Sequence, residues 1–94
     1  MNLKTLRTEV ARYPQYAVAR KCGMTQSRLS QLETGVVFMS ELDRDRLMCG
    51  YDRLGFNFDR EIETIYIKQK KERRRIAVGV RDDLRIEVRV KQIK

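Results

Sequence analysis

Residues 15–35 have the sequence QYAVARKCGMTQSRLSQLETG, and this stretch decides the fold of the amino-terminal half of the chain. Ala19 is small, as is required where two helices cross closely, and Gly23 follows four residues later, where a tight turn must separate them. The positions that pack two helices at a steep angle are all apolar: Val18, Cys22, Met24, Leu29 and Leu32. Together these positions predict a helix-turn-helix.

The ends of the two helices can also be predicted. One helix covers residues 14–22 and ends at Gly23, because glycine adopts the left-handed conformation that follows many helices. The next covers about 26–33, with Thr25 as its N-cap and Gly35 after its end.

These residues resemble the Cro-like (XRE-type) helix-turn-helix family of phage repressors and related bacterial regulators. The resemblance is carried by Gln15, Val18, Ala19, Gly23, Thr25, Gln26, Ser27, Leu29, Gln31, Leu32, Glu33 and Gly35, and it covers roughly residues 3–56. The closing Glu-x-Gly is typical of that family. Two features depart from it: the apolar run Val36–Met39 replaces the usual polar residues and proline, and a long fourth helix leads into a basic tail. We interpret the run as core or dimer contact.

The outer face of the predicted third helix is where we expect contact with DNA. Opposite Leu29 and Leu32, the helical period places four polar residues: Ser27, Ser30, Gln31 and Thr34. Gln26 and Arg28 flank this face; glutamine matches adenine, and arginine matches guanine or a phosphate. We predict base contacts by Gln26, Ser27, Arg28 and Gln31, and phosphate contacts by Ser30 and Thr34.

The resemblance implies two further roles. Gln15 occupies the position where family members hold a phosphate. Glu33 corresponds to a glutamate that bonds an arginine of the first helix. Arg7 is the candidate partner, although its spacing from Gln15 differs by about one residue from the family pattern.

Two more helices are predicted around this motif. Leu3, Leu6 and Val10 lie on one face of a short first helix, which Tyr13-Pro14 ends. A fourth helix starts at Ser40 as N-cap, with its apolar residues at Leu42, Leu47, Met48, Tyr51 and Leu54, and ends at Gly55. Gly50 weakens the case for one unbroken helix.

The carboxyl-terminal part predicts strands. Apolar residues alternate with polar or small ones at Ile76, Val78 and Val80 and again at Leu84, Ile86, Val88 and Val90. The odd-length loop 81–83 pairs them on one face as a hairpin. Residues 63–70 would add a third strand; the alternative is a helix using Phe58, Ile62, Ile65 and Tyr66.

The predicted fold class is therefore mainly α with a carboxyl-terminal antiparallel β-hairpin or three-stranded meander (α+β). We divide the chain into a helix-turn-helix domain of about four helices, residues 1–58, and a basic β-strand appendage, residues 59–94, expected to dimerise.

Composition narrows the chemistry. The 94 residues contain no His and two Cys, which leaves no imidazole base and no histidine metal ligand and so excludes most zinc sites. We expect no enzyme activity, no cofactor and no metal, with Cys22 and Cys49 as a free, reduced, buried pair. No apolar run approaches the length of a membrane helix, so we expect a cytoplasmic protein.

The net charge of +8 favours a nucleic-acid partner. Six of the eight residues 68–75 are basic, and they are either a phosphate clamp, with Lys70, Lys71 and Arg73 as contacts, or a solvated turn that deters aggregation. A thin core and an uncovered apolar face also predict a homodimer.

We expect a sequence-specific double-stranded DNA-binding transcriptional regulator, a repressor in preference to an activator, that occupies a palindromic operator as a homodimer. One alternative is an antitoxin-type interaction protein, whose tail binds a partner protein through its strands while its head regulates its own promoter. Another is an RNA-binding protein that uses the basic hairpin.

Overall fold

The computed structural model describes the backbone of residues 2–88 and the side chains of residues 2–75. Helix α1 has an α-helical turn, Leu3–Thr5, followed by a π-helical segment, Leu6–Ala11. The other helices are α2, Gln15–Cys22; α3, Gln26–Thr34; α4, Glu41–Arg53; and α5, Asp59–Val88. Over these described residues there is no strand. None of their helices combines the length and apolar character needed to cross a membrane.

The two helices predicted within residues 14–35, and the turn between them, are confirmed. Gly23 has φ +71° and Gly35 has φ +80°, so each ends its helix in the left-handed region as expected. The Thr25 hydroxyl accepts a hydrogen bond from the Arg28 N–H at 3.0 Å and caps α3. Of the predicted packing residues, Met24 is half-buried and the rest are buried: Val18, Ala19, Cys22, Leu29 and Leu32.

The first helix differs from its prediction at Val10, which is 44% exposed instead of packed inward. The cause is the π-helical segment, in which hydrogen bonds span five residues instead of four. This wider turn places Ala11, five residues after Leu6, against the core. Arg12 then ends the segment at φ +58°, with its N–H donating to the Arg7 carbonyl at 2.7 Å.

Helix α4 begins as predicted and continues without a break through Gly50. The glycine lies where α4 crosses α2, and an added Cβ would stand only 2.8 Å from the Cys22 Cα. Gly50 therefore does not break α4, and it permits the close packing of α4 against α2. Leu42 departs from the predicted apolar face, since it is 56% exposed.

The predicted β-hairpin or meander is wrong, and with it the α+β fold class. Residues 59–88, which include most of the three predicted strands, form the single helix α5. Val90, the last apolar residue of the hairpin, lies outside the described residues. The alternative interpretation of residues 63–70, a helix, is confirmed: Phe58 and Ile62 are buried, and Ile65 and Tyr66 pack partly against the core.

Two properties of the sequence explain the helix. Residues 68–75 contain only Lys, Gln, Glu and Arg, all strong helix formers, with no residue that favours a turn. A helix anchored by Ile62 extends through them more easily than a new element forms, since the costly step is nucleation. The alternating pattern also has an apolar residue at every fourth position from 76 to 88, which does not exclude a helix.

One core holds the five helices together. Its buried apolar residues are Leu3, Leu6, Ala11, Val18, Ala19, Cys22, Leu29, Leu32, Met39, Leu47, Tyr51, Phe58 and Ile62. The run Val36–Met39 contributes Met39 fully and Val37 partly, whereas Val36 and Phe38 are exposed. Both cysteines are free, as expected. Cys22 is buried as predicted, but the predicted burial of Cys49 is wrong, since Cys49 is exposed.

Candidate nucleic-acid interface

The outer face of α3 carries the residues predicted to contact DNA. Gln26, Ser27 and Gln31 are exposed there, as is Thr34, while Ser30 is half-buried. The Thr34 hydroxyl donates to the Ser30 carbonyl at 3.0 Å, so it would have to give up this bond to donate to a phosphate. The inward residues Leu29 and Leu32 are buried and fix the rotation of the helix that presents this face.

Glu33 is held from the inner side of α3 by Arg7, the partner that the resemblance implies. Arg7 Nε donates to Glu33 Oε2 at 2.6 Å, and Arg7 Nη2 donates to Oε1 at 3.1 Å. The Glu33 side chain is 1% exposed, and a carboxylate so buried needs such a partner. The hydrogen bond that Arg7 donates to Glu33 also raises the pKa of Arg7, which therefore stays charged. The pair joins α1 to α3.

The same carboxylate supports Gln15, and Gln15 supports Gln26. Gln15 Nε2 donates to Glu33 Oε1 at 3.0 Å, while Gln26 Nε2 donates to Gln15 Oε1 at 3.2 Å. These contacts form a chain from the buried Arg7–Glu33 pair to the surface of α3. Gln15 and Gln26, predicted as separate phosphate and base contacts, are thus brought together.

The Arg28 guanidinium bonds to Asp43 instead of extending freely from the outer face of α3. Its Nη2 donates to Asp43 Oδ2 at 2.5 Å and its Nε to Oδ1 at 3.3 Å, which ties the start of α3 to the start of α4. Two of its three guanidinium nitrogens are therefore engaged within the chain. Base contact by Arg28 stays a prediction, and the N–H groups left for it are the two on Nη1 and one on Nη2.

Asp43 is a residue that our sequence analysis missed. It is 5% exposed and completes a capping box: Ser40 N–H donates to Asp43 Oδ2 at 2.9 Å, and Asp43 N–H donates to Ser40 Oγ at 3.0 Å. Burial alone raises the pKa of Asp43, but the hydrogen bonds from Arg28 and Ser40 outweigh it and leave the pKa below its usual value. The available signal was the acidic residue three positions after Ser40.

The basic residues of α5 lie beside the loop between α3 and α4. Lys70 and Arg73 share a groove with Phe38, and the Arg73 guanidinium lies 6.0 Å from the Phe38 ring centre. Lys71 is exposed but does not line this groove. Gln69 Oε1 accepts a 2.7 Å hydrogen bond from the Met39 N–H, which fixes α5 to the loop. No spacing in the sequence predicts that contact.

Ser40 connects the two basic regions. It lines the groove that contains Lys70 and Arg73 and also a second groove that contains Arg28 and Arg46. The start of α4 therefore lies between the carboxyl-terminal helix and the start of α3.

The part of the chain with described side chains holds no cluster of three or more potential metal ligands. Comparisons with protein-family models, with curated proteins and with solved structures gave no match.

Proposed function

We propose that the chain is a sequence-specific double-stranded DNA-binding regulator in which α3 enters the major groove. The observation that supports this most is the chain of hydrogen bonds from Arg7 and Glu33 through Gln15 to Gln26. These bonds hold the Gln26 side chain in place at the amino-terminal end of α3, where helix-turn-helix proteins contact base edges.

Gln26 keeps the groups that adenine requires. Adenine offers one donor and one acceptor in the major groove, and a glutamine amide matches both. The Gln26 amide has two N–H groups and a carbonyl oxygen, and its bond to Gln15 uses one N–H. One N–H and the oxygen are left to form the paired contact. A side chain that is already oriented also loses less conformational entropy when it binds.

Contacts to phosphates would position this helix. Gln15 retains one amide N–H beyond its bond to Glu33, and it lies at the start of α2. Lys70 and Arg73 add two cations beside the α3–α4 loop. Phosphate contacts of this kind give affinity and salt dependence but carry no sequence information.

We further propose that the regulator binds as a homodimer to a palindromic operator and represses by occupying it. Two copies related by a two-fold axis would place two α3 helices in successive major grooves, roughly 34 Å apart. Repression is favoured because it needs only this occupancy.

Selection of bound sites from a random duplex library, at near-physiological salt, tests the proposal. We expect an enriched inverted repeat. Gln26→Ala should relax the preference at one symmetric position, and Gln15→Ala should weaken the same preference because it removes the support. Glu9→Gln, at an exposed position of α1, is the control and should leave the motif unchanged. A library with no enriched sequence would refute the proposal.

A further inference from the structure

A continuous surface on the outer sides of α2 and α4 has opposite charges at its two ends. We call it the α2/α4 surface. Its basic end is a groove lined by Arg20, Lys21 and Arg53 together with Tyr13 and Tyr16. Tyr16 is 62% exposed, the largest exposure of any aromatic side chain in the described part of the chain. This end combines positive charge with an exposed aromatic ring.

The other end of the α2/α4 surface is acidic. Asp45, Asp52 and Asp59 line a groove together with Met48 and Cys49. Asp45 forms an ion pair with Arg44, but within residues 2–75 no ion pair involves Asp52 or Asp59. This groove therefore offers two carboxylates beside a half-buried methionine.

A third groove joins the two ends. It shares Asp45 and Cys49 with the acidic groove and Lys21 and Arg53 with the basic one. Charge thus changes sign across one surface, with the exposed Cys49 near the middle. Under a two-fold rotation about that middle, the basic end of one copy meets the acidic end of the other. Such self-complementarity is what a two-fold interface requires.

We propose that the α2/α4 surface is the interface of a two-fold homodimer, with its axis near Cys49 and with Tyr16 of each copy seated in the acidic groove of the other. Tyrosine combines a large apolar ring with a hydroxyl that can donate to a carboxylate, and it is enriched at interfaces. Each interface would contain the Arg20–Asp52 contact twice. The proposal names the dimer surface for the function proposed above, but this dimer forms without DNA.

The distribution of charge over the whole chain is consistent with self-association at this surface. Residues 67–94 carry 11 basic and 4 acidic side chains, which accounts for +7 of the net +8. Residues 1–66, which contain the entire α2/α4 surface, are therefore left with a net charge of +1. The positive charge that would repel a second copy therefore lies mainly in residues 67–94, outside this surface.

Sedimentation equilibrium without DNA tests the charge pairing. Arg20→Asp and Asp52→Arg should each weaken the dimer at least about tenfold, because each places two like-charge contacts in a two-fold interface. The double variant Arg20→Asp/Asp52→Arg should restore most of the affinity. Lys4→Asp and Glu9→Arg make the same charge changes at exposed positions of α1 and should have little effect.

Oxidation with diamide tests the position of the axis. We expect a disulfide-linked dimer that Cys49→Ser abolishes. Moving the exposed thiol to α3, in the variant Ser27→Cys/Cys49→Ser, should greatly slow the cross-linking. A wild type that stays monomeric, a double variant no tighter than either single one, or cross-linking equally fast from position 27 would each overturn the proposal.

A half-site duplex separates this proposal from the DNA-binding one. The monomeric charge-reversal variants should still bind a single half-site if α3 contacts DNA. If the wild type does not bind a half-site duplex, the DNA-binding proposal is refuted and the dimer proposal still stands.

Discussion

Replacing Gly50 with alanine adds one methyl group at the point where α4 crosses α2. In an exposed helix this substitution would stabilise the protein by about 1 kcal/mol, since alanine is the better helix former. Here the new Cβ would overlap Cys22 Sγ and would lie 2.8 Å from the Cys22 Cα and 2.9 Å from its N. Ordinary contacts begin at ~3.5 Å, so the helices would separate by roughly 0.7 Å.

Because two of the three contacts are to backbone atoms, the strain cannot be relieved by a rotamer change. We expect a cost near the upper end of overpacking, about 3 kcal/mol, hence a net loss of about 2 kcal/mol in the free energy of unfolding. For a domain of this size that lowers the Tm by about 8–16 °C. Urea unfolding followed by circular dichroism would measure it.

The Cys22→Ala background identifies the source of the strain. Removing the sulfur relieves only the contact with Sγ, so Gly50→Ala should remain destabilising there. Leu42→Ala, at an exposed position of the same helix, is the control and should change stability by less than about 0.5 kcal/mol. A Gly50→Ala variant more stable than the wild type would refute the close crossing of α2 and α4.

Arg7→Met should lower the free energy of unfolding by about 3 kcal/mol in a denaturant titration, because it leaves the buried Glu33 carboxylate without its partner. Adding Glu33→Gln should recover part of this loss. A loss under about 1 kcal/mol for Arg7→Met would contradict the ion pair. The lowered pKa of Asp43 means that its stabilisation is complete above about pH 4 and is lost as the pH falls through the folded-state value. The stability gap between wild type and Asp43→Asn should therefore narrow in acid, and a gap independent of pH would exclude this role. Burial raises the pKa of Cys22 to about 11, so a thiol reagent at pH 8 should modify only Cys49 in the folded protein. In denaturant it should modify both thiols. Rapid modification of both thiols in the folded protein would show that Cys22 is accessible.

The sequence predicted the helix-turn-helix because local rules determine it. Glycine at a left-handed position and threonine at an N-cap each act within one turn of the chain, so Gly23, Thr25 and Gly35 mark helix ends without knowledge of the rest. The Arg7–Glu33 pair followed from the resemblance, since the two residues are 26 positions apart.

The remaining features depend on contacts between distant segments. Gly50 was ambiguous because only the position of Cys22 decides whether a helical glycine is a defect or a close contact. The base-contact prediction for Arg28 omitted Asp43, 15 residues away, as its partner. The strand prediction failed because apolar alternation does not distinguish a strand from the extension of a helix already anchored at Ile62.

The wide turn in α1 gives the chain tolerance in length. A π-helical turn holds roughly one residue more than an α-helical turn, so it can absorb an inserted residue without displacing the segments on either side. Arg7 within this segment and Gln15 after it both reach the Glu33 carboxylate. A chain one residue shorter here, with a regular turn, could bring its arginine to the same carboxylate.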